Sequence, residues 1–343
     1  MNVFLPIISL QNTFLDEIEA EFNGRFIYDH YRNIDNYEVD IVNLHWPDSV
    51  FSDNRYEYAD FKEWLTEIRT KYPVVYTRHN TVSHTLHSKE ALEFNDYINI
   101  SCHAVHHFGY YSLEEHKQLY PDYNGRHAVT GHPLYRNLKN EISKEEARVK
   151  LGIPMDANVL LVFGVVRNDT ERKLILRLFN ELKIPRKYLL VPNFGYMQAP
   201  KILKGTKLAN AWSKIKTAAV ANNKNKQLDK IFVDHNDVQV YMNSADAVYI
   251  PRINSLNSGI VFLAYSFGKN IIAPNTGNIK ENIMEHSAGY NPGNFQSIIA
   301  AAEKVLINPA PSKTEYTQYE PKYIAQQLEV LFGKLIKELQ VNR

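Results

Sequence analysis

The sequence predicts an α/β protein built from two similar halves, each with a mainly parallel sheet. Short apolar runs typical of buried strands alternate with longer amphipathic runs along the whole chain. Strands that alternate with helices imply βαβ units, in which the strands run parallel. The chain has 343 residues, which is enough for two domains with separate cores.

The first half opens with a predicted strand, NVFLPII, at 2–8. A helix follows, with Phe14, Ile18 and Phe22 on one face. The segment ADFKEWLTEIRTKY predicts a further helix. Other strands are predicted at 40–46, 73–80, 96–102, 158–164, 187–193, 230–235, 245–251 and 269–274.

A polar segment at 133–157 separates the halves. Within it, Ser143 and Glu146 have the spacing of a capping box, which predicts a short helix ending before Gly152. The final pattern, YIAQQLEVLFGKLIKELQ, predicts an amphipathic C-terminal helix.

The overall composition excludes several classes of protein. The net charge is only +1, which provides no general field for nucleic acid. One cysteine, Cys102, excludes an internal disulfide framework and a four-cysteine zinc site. The start of the chain lacks the basic residues of a signal peptide, and no apolar run approaches the roughly 18 residues of a membrane span. We therefore expect a cytoplasmic protein.

The segment INSLNSGIVFLAYSFGKNIIAPNTG (253–277) carries the strongest binding signal. The loop from Arg252 to Ser258 follows a predicted parallel strand, at the edge where α/β proteins bind ligands. The next helix begins near Ser258-Gly259, and its first N–H groups can bind a phosphate. Asn257 or Ser258 could cap the helix, and ordinary capping without any ligand is the alternative interpretation.

Other polar residues follow neighbouring strands. Arg167, Arg172 and Lys173 come after the strand at 158–164 and could neutralise a diphosphate, or could belong to a solvated helix start. Asp237 lies between a strand and a helix, as an N-cap or close to a nucleotide base.

Two strand ends of the first half carry pairs suited to a sugar. His45-Trp46 and His79-Asn80 combine rings with hydrogen-bonding groups. The segment HAVHH at 103–107 could ligate a metal, but no partner at a zinc-site spacing favours it, and no metal site is predicted. The GxSxG, P-loop and GxGxxG motifs are absent from the sequence.

Taken in order, several segments resemble the GT-B glycosyltransferases, specifically family four, the retaining nucleotide-sugar transferases. The matching segments cover most of the chain: DIVNLHWP (40–47), VVYTRHNTVSH (74–84), GHPLYRNL (131–138), SKEEARVKLGIP (143–154), VLLVFGVVR (159–167) and YMNSADAVYIPRINSLNSGIVFLAYSFGKNIIAPNTG (241–277).

The resemblance implies the GT-B fold, with two Rossmann-like domains facing a central cleft. It implies an acceptor domain at 1–138, to which a C-terminal helix at about 322–343 returns, and a donor domain at 139–321. The implied reaction transfers a sugar from a UDP- or GDP-linked donor to a glycan or lipid-linked acceptor with retained configuration, in polysaccharide synthesis. No cofactor and no obligatory metal are implied.

The resemblance also implies roles for individual residues. His79 and Arg167 are the catalytic candidates. The donor-binding set is Arg167, Arg172, Lys173, Asp237, Arg252, Asn254, Asn257, Ser258 and Gly259. The acceptor-binding set is Asn12, His45, Trp46, Asn80 and His84.

The chain departs from the family at three places. Ser255 and Leu263 stand where many members have a pair of Glu, Thr170-Glu171 replaces a common Lys-Gly, and the segment 9–12 replaces a glycine-rich loop. The missing Glu pair and Lys-Gly favour one alternative, a non-catalytic nucleotide-binding scaffold of the same fold. A nucleotide-sugar epimerase, a class that also uses two Rossmann-like halves, is the other alternative.

A peripheral contact with the inner face of a membrane is a further open alternative, because acceptors of this class are often lipid-linked. Lys62, Trp64, Lys71 and Tyr72 could form such a surface, although an ordinary solvated helix explains them as well.

Overall fold

The chain divides into two units, and each is built around a parallel sheet. A computed structural model describes residues 1–7, 12–46, 57–82, 88–199, 206–221, 224–307 and 316–341. The first unit comprises Met1–Tyr135 with Glu315–Arg343, and the second comprises Arg136–Thr314.

The sheet of the first unit has six strands within the described residues, in the order β2-β1-β3-β4-β5-β6. Its elements are β1 (Asn2–Leu5), α1 (Thr13–Glu19), β2 (Arg25–Tyr28), β3 (Ile41–His45), α2 (Tyr58–Lys71), β4 (Val74–Thr77), α3 (Lys89–Ser101), β5 (Ala104–His107), α4 (Tyr110–Leu119) and β6 (Arg126–Val129).

The sheet of the second unit likewise has six strands in the described ranges, in the order β12-β11-β10-β7-β8-β9. Its elements are α5 (Lys144–Leu151), β7 (Asn158–Leu161), α6 (Asp169–Glu181), β8 (Lys187–Val191), α7 (Lys207–Ala221), β9 (Lys226–Leu228), α8 (Val238–Ser244), β10 (Ala247–Tyr249), α9 (Gly259–Ser266), β11 (Asn270–Pro274), β12 (Ala288–Tyr290) and α10 (Phe295–Ile307).

The last helix, α11 (Pro321–Val341), belongs to the first unit. Its apolar face, which includes Leu328 and Phe332, lies in one core cluster with Phe14 and Ile18 of α1. A second cluster on the other face of the sheet packs α2 and α3 through Phe61 and other side chains. Burial on both faces explains why the strands read as nearly continuous apolar runs.

The predicted capping box is present at the start of α5. Ser143 Oγ accepts from the Glu146 N–H, and the Glu146 side chain accepts from the Ser143 N–H. The helix ends at Leu151, and Gly152 has a left-handed conformation with φ 66°. Nearby, the buried Arg148 donates through Nη2 to Asp246 Oδ2 at 2.8 Å, and Asp246 also accepts from the Val159 N–H.

Two predicted strands are wrong. Residues 96–102 lie mostly in α3, where Phe94 and Ile98 face the core at a helical spacing and Ser88 caps the helix; the strand β5 follows it. Residues 230–235 contain no strand. The neighbour of β8 in the sheet is β9, which lies earlier in the sequence, and Phe232 is 83% exposed. The short strands β2, β6 and β12 were not predicted from the sequence.

Candidate functional site

In the second unit, the ends of β7 and β10 bring two candidate loops together. The strands pair in parallel, with Val248 opposite Leu161, so their carboxyl ends lie side by side. Gly164 follows β7 with φ 87°, and a Cβ placed on it would lie 3.6 Å from Cδ1 of Ile260 in α9. Arg252 Nη2 also donates to the Val165 carbonyl at 3.0 Å. The loop after β7 therefore reaches the start of α9.

Ser258 occupies the N-cap position of α9, but its side chain makes no capping hydrogen bond. The first amide groups of a helix lack acceptors within the helix, so those of α9 are suited to an external anion. The preceding loop is anchored from outside: the Asn278 N–H donates to the Leu256 carbonyl at 2.8 Å, and Asn278 Nδ2 donates to Asn257 Oδ1 at 2.6 Å. Asn257 therefore helps to hold the loop.

Three arginines lie near this edge, and their guanidinium groups differ in what they bind. Arg172 is buried and donates to the carbonyls of Phe194 and Val166 and to the carboxylate of Asp169, so it joins two loops. Arg252 donates to the Val165 carbonyl and to Glu171. Among the described residues, no acceptor lies within hydrogen-bond distance of the guanidinium of Arg167.

Glu171 organises the charges around Arg167. Its carboxylate accepts from the Arg167 backbone N–H at 2.9 Å and from Arg252 Nε at 3.3 Å. The Arg167 side chain is exposed overall, but it is partly desolvated by the surrounding protein. This desolvation, and then the charge of Arg252, lowers the pKa of Arg167, whereas Glu171 raises it. An arginine remains protonated regardless, so Arg167 offers a permanent positive charge in the loop that reaches the start of α9 at Gly164.

The remaining donor candidates are exposed. Lys173 lies on α6, Asn254 lies in the loop before α9, and Asp237 lies at the start of α8. Asp237 occupies the N-cap position, but its side chain makes no capping hydrogen bond. Their predicted roles toward a donor remain predictions.

In the first unit, the acceptor candidates gather around buried histidines at the ends of β3 and β4. His45 Nδ1 and His79 Nε2 are 2.8 Å apart, and His45 Nε2 is 2.9 Å from Asn43 Nδ2. Trp46 stacks on His79 with ring centroids 4.0 Å apart. Trp46 also has φ 39°, an uncommon conformation for a bulky residue, and such strain is often found at functional sites.

A chain of hydrogen bonds fixes the proton positions in this cluster. Thr77 Oγ1 donates to Asn43 Oδ1, and Asn43 Nδ2 can only donate, so His45 Nε2 is the acceptor. A neutral His45 then carries its proton on Nδ1 and donates it to His79 Nε2. Neutral His79 consequently carries its own proton on Nδ1.

The cluster is uncharged at neutral pH. Burial, and then the charge of His106, lowers the pKa of His45 to about 3. Burial lowers the pKa of His132 to about 4, opposed by its bond to the Pro133 carbonyl. His79 is partly exposed, yet the surrounding protein, followed by His45, lowers its pKa well below the ordinary value. A neutral His79 can donate or accept a hydrogen bond but brings no positive charge.

The other predicted acceptor residues lie at the edge of this cluster or outside the described residues. Asn12 caps α1 by accepting from the Phe14 N–H, which gives it a structural role. Asn80 is partly exposed directly after His79. His84 lies outside the described residues.

Several members of this cluster had no signal in the sequence. Phe14 contacts the rings of His79 and His132 at centroid distances of 5.2 and 4.9 Å, and Phe108 lies 5.0 Å from His79. Phe108 follows β5 and His132 follows β6. No predicted strand ended directly before either residue, so the rule that ligands bind at the carboxyl ends of parallel strands gave no signal for them.

The residues considered for a membrane surface do not form an apolar face. Trp64 and Tyr72 pack against the core cluster of α2 and α3, and Lys71 pairs with Glu67. Within the described ranges, no helix has both the length and the apolar character to cross a bilayer.

Comparison with known proteins identifies the fold. No family model matches the chain, and no curated protein matches it in sequence. Solved structures match the chain over nearly its whole length. A glycosyltransferase from Rickettsia africae ESF-5 has a TM-score of 0.61 and 13% identity, with 98% of each chain covered.

Two other matching structures contain UDP. Anabaena HepE in complex with UDP and glucose has a TM-score of 0.60 and 12% identity, covering 99% of this chain and 98% of its own. The S. aureus MnaA-UDP co-structure has a TM-score of 0.58 and 13% identity, covering 98% and 97%. At such identities the likeness shows the fold, and the predicted GT-B fold with two Rossmann-like sheets is confirmed.

Proposed function

We propose that the chain is a retaining glycosyltransferase that transfers a sugar from a nucleotide diphosphate donor to a glycan or lipid-linked acceptor. The observation that carries the proposal is the pairing of Arg167, whose guanidinium has no acceptor among the described residues, with the start of α9 at one sheet edge. UDP in two structures of the same fold supports a nucleotide-sugar donor.

The donor diphosphate would lie against the first turn of α9, near Gly259, with Arg167 beside it. Charge that develops on the leaving diphosphate would be stabilised by these amide groups and by the guanidinium. Because this positive charge comes from the protein, the proposed transfer needs no metal. Arg172 is not kept in the proposed donor site, because its guanidinium already binds three protein acceptors.

The test measures binding of UDP, GDP and nucleotide sugars by calorimetry. Arg167→Ala should weaken the nucleotide that binds best by roughly 10- to 100-fold, because a charge-assisted hydrogen bond is lost. Arg177→Gln is the matched control: it removes a positive charge from the exposed part of α6, where Arg177 pairs with Glu181. Equal affinity in the Arg167 variant, or an equal loss in the control, would count against the proposed donor site.

The proposed acceptor side uses His79 as a neutral partner for a sugar hydroxyl. His79→Ala should lower turnover by roughly 10-fold or more and should affect nucleotide affinity less, because the proposed role of His79 is toward a sugar hydroxyl and not toward the diphosphate. Transfer would be followed with a panel of nucleotide sugars and glycan acceptors. Nucleotide binding without transfer or donor hydrolysis would favour the scaffold alternative.

A further inference from the structure

Three histidines outside the proposed site form a group beside α4. His107 ends β5, His116 lies on α4 and His127 lies on β6, and one ring nitrogen from each lies within 4.8 Å of the others. The register of β5 and β6 places Val105 opposite His127 and His107 opposite Val129. His107 and His127 therefore lie on the same face of the sheet.

The proton of His116 has a fixed position. His116 Nε2 lies 3.2 Å from the Asn99 carbonyl, which can only accept, so the proton is on Nε2. Nδ1 therefore carries a lone pair. His116 is fully buried, and no described residue lies within hydrogen-bond distance of Nδ1. A histidine that donates one nitrogen to a carbonyl and leaves the other as a lone pair is arranged like a metal ligand.

The other two histidines have a spacing that suits a metal ion. His107 Nε2 lies 3.1 Å from His127 Nδ1, and His107 Nδ1 lies 2.9 Å from Ser112 Oγ. Zinc bound tetrahedrally at 2.0–2.1 Å separates its nitrogen ligands by roughly 3.3 Å. The hydrogen-bonded pair His107 and His127 is already at 3.1 Å, and the nitrogen of His116 lies within 4.8 Å of both. Ser112 can hold the far side of the His107 ring in the role of an outer partner.

The positively charged side chains near the three histidines, Arg78 and Lys117, each pair with a glutamate. Arg78 donates to Ser112 Oγ at 3.2 Å and pairs with Glu115 at 2.8 Å. Lys117 near His127 pairs with Glu114 at 3.0 Å. The group thus offers three imidazoles, and each of these two neighbouring cations is paired with a carboxylate.

We propose that His107, His116 and His127 bind one divalent transition-metal ion of the zinc class, which fastens α4 to strands β5 and β6. Imidazole ligands suit zinc and its neighbours in the first transition row, whereas calcium and magnesium prefer oxygen. His127 is partly exposed, so the ion can enter from its side and keep a water as fourth ligand.

The test uses the full chain, first treated with a chelator and then titrated with Zn²⁺ or Co²⁺ alone. We expect one ion per chain, a higher melting temperature, and the visible absorption bands of tetrahedral Co²⁺. His127→Gln should weaken binding at least tenfold and remove those bands. This variant is chosen because His127 lies partly exposed on an edge strand, where the fold tolerates it.

His286→Asn is the matched control. His286 is a half-exposed histidine in the other unit, and its φ of 67° suits Asn. The control should bind Zn²⁺ as tightly as the original chain. No binding by the chelator-treated chain, octahedral Co²⁺ spectra, or equal binding in His127→Gln would each overturn the proposal.

Discussion

The proton arrangement at His79 depends on a residue that would not touch a substrate. Asn43 orients His45, and His45 in turn sets which nitrogen of His79 carries the proton. Because burial keeps these rings neutral, the arrangement persists at physiological pH. Asn43, which is two hydrogen bonds away, can therefore decide whether Nδ1 of His79 offers a donor or an acceptor to its surroundings.

Asn43→Asp tests this dependence. A carboxylate only accepts, so it should move the His45 proton to Nε2 and force His79 to donate from Nε2 instead of Nδ1. Nitrogen-15 NMR of the histidine rings would report the change of tautomer, and transfer activity should fall by roughly 10-fold through the loss of one donor. An unchanged His79 tautomer would show that Asn43 does not control it.

At the scale of single elements, α5 is fastened by a buried ion pair. Arg148 and Asp246 have side chains only 3% and 5% exposed, and Arg148 also donates to the carbonyls of Ser244 and Met155. Arg148→Ala would leave a buried carboxylate with Lys144 as its remaining cationic partner.

We expect Arg148→Ala to lower the free energy of unfolding by about 3 kcal/mol or more, since breaking one side of a buried pair is strongly destabilising. Urea unfolding would measure it, with Lys150→Ala on the exposed side of the same helix as the comparison. A loss no larger than that of the Lys150 variant would mean that the pair contributes little.

The sequence predicted the elements whose signal is local. The capping box of α5 and the start of α9 at Gly259 are both present, because caps and periodic apolar faces act within a few residues. It misassigned 96–102, where a short apolar run fits a strand or a helix equally well. The sequence could not show that the guanidinium of Arg172 already donates hydrogen bonds to the Phe194 carbonyl and the Asp169 carboxylate. Such contacts depend on how distant loops come together.

At the scale of the whole molecule, the buried histidines should make stability depend on pH. The pKa values of His45 and His132 in the folded chain, about 3 and about 4, lie below their ordinary value of 6.5. At a pH between the folded and the ordinary pKa values, these two histidines are protonated in the unfolded chain but neutral in the folded chain. The contribution of these two rings to stability is therefore fully present above pH 7 and is lost progressively as the pH drops toward 4.

Each of the two histidines should remove up to about 1.4 kcal/mol per pH unit across this window. Urea unfolding at a series of pH values between 7.5 and 4.5 would show the slope, and His132→Asn should make it shallower. A free energy of unfolding that stays constant over this range would contradict the buried, neutral state of both rings.

The path of the chain has a consequence for synthesis. The first unit closes its core with α11, whose Leu328 and Phe332 pack against α1, and Arg126 of β6 forms an ion pair with Glu338. The second unit is continuous in sequence and is complete before α11 is made. During synthesis on the ribosome, the second unit can thus finish folding before the first unit. The first unit keeps an uncovered apolar surface until α11 leaves the ribosome.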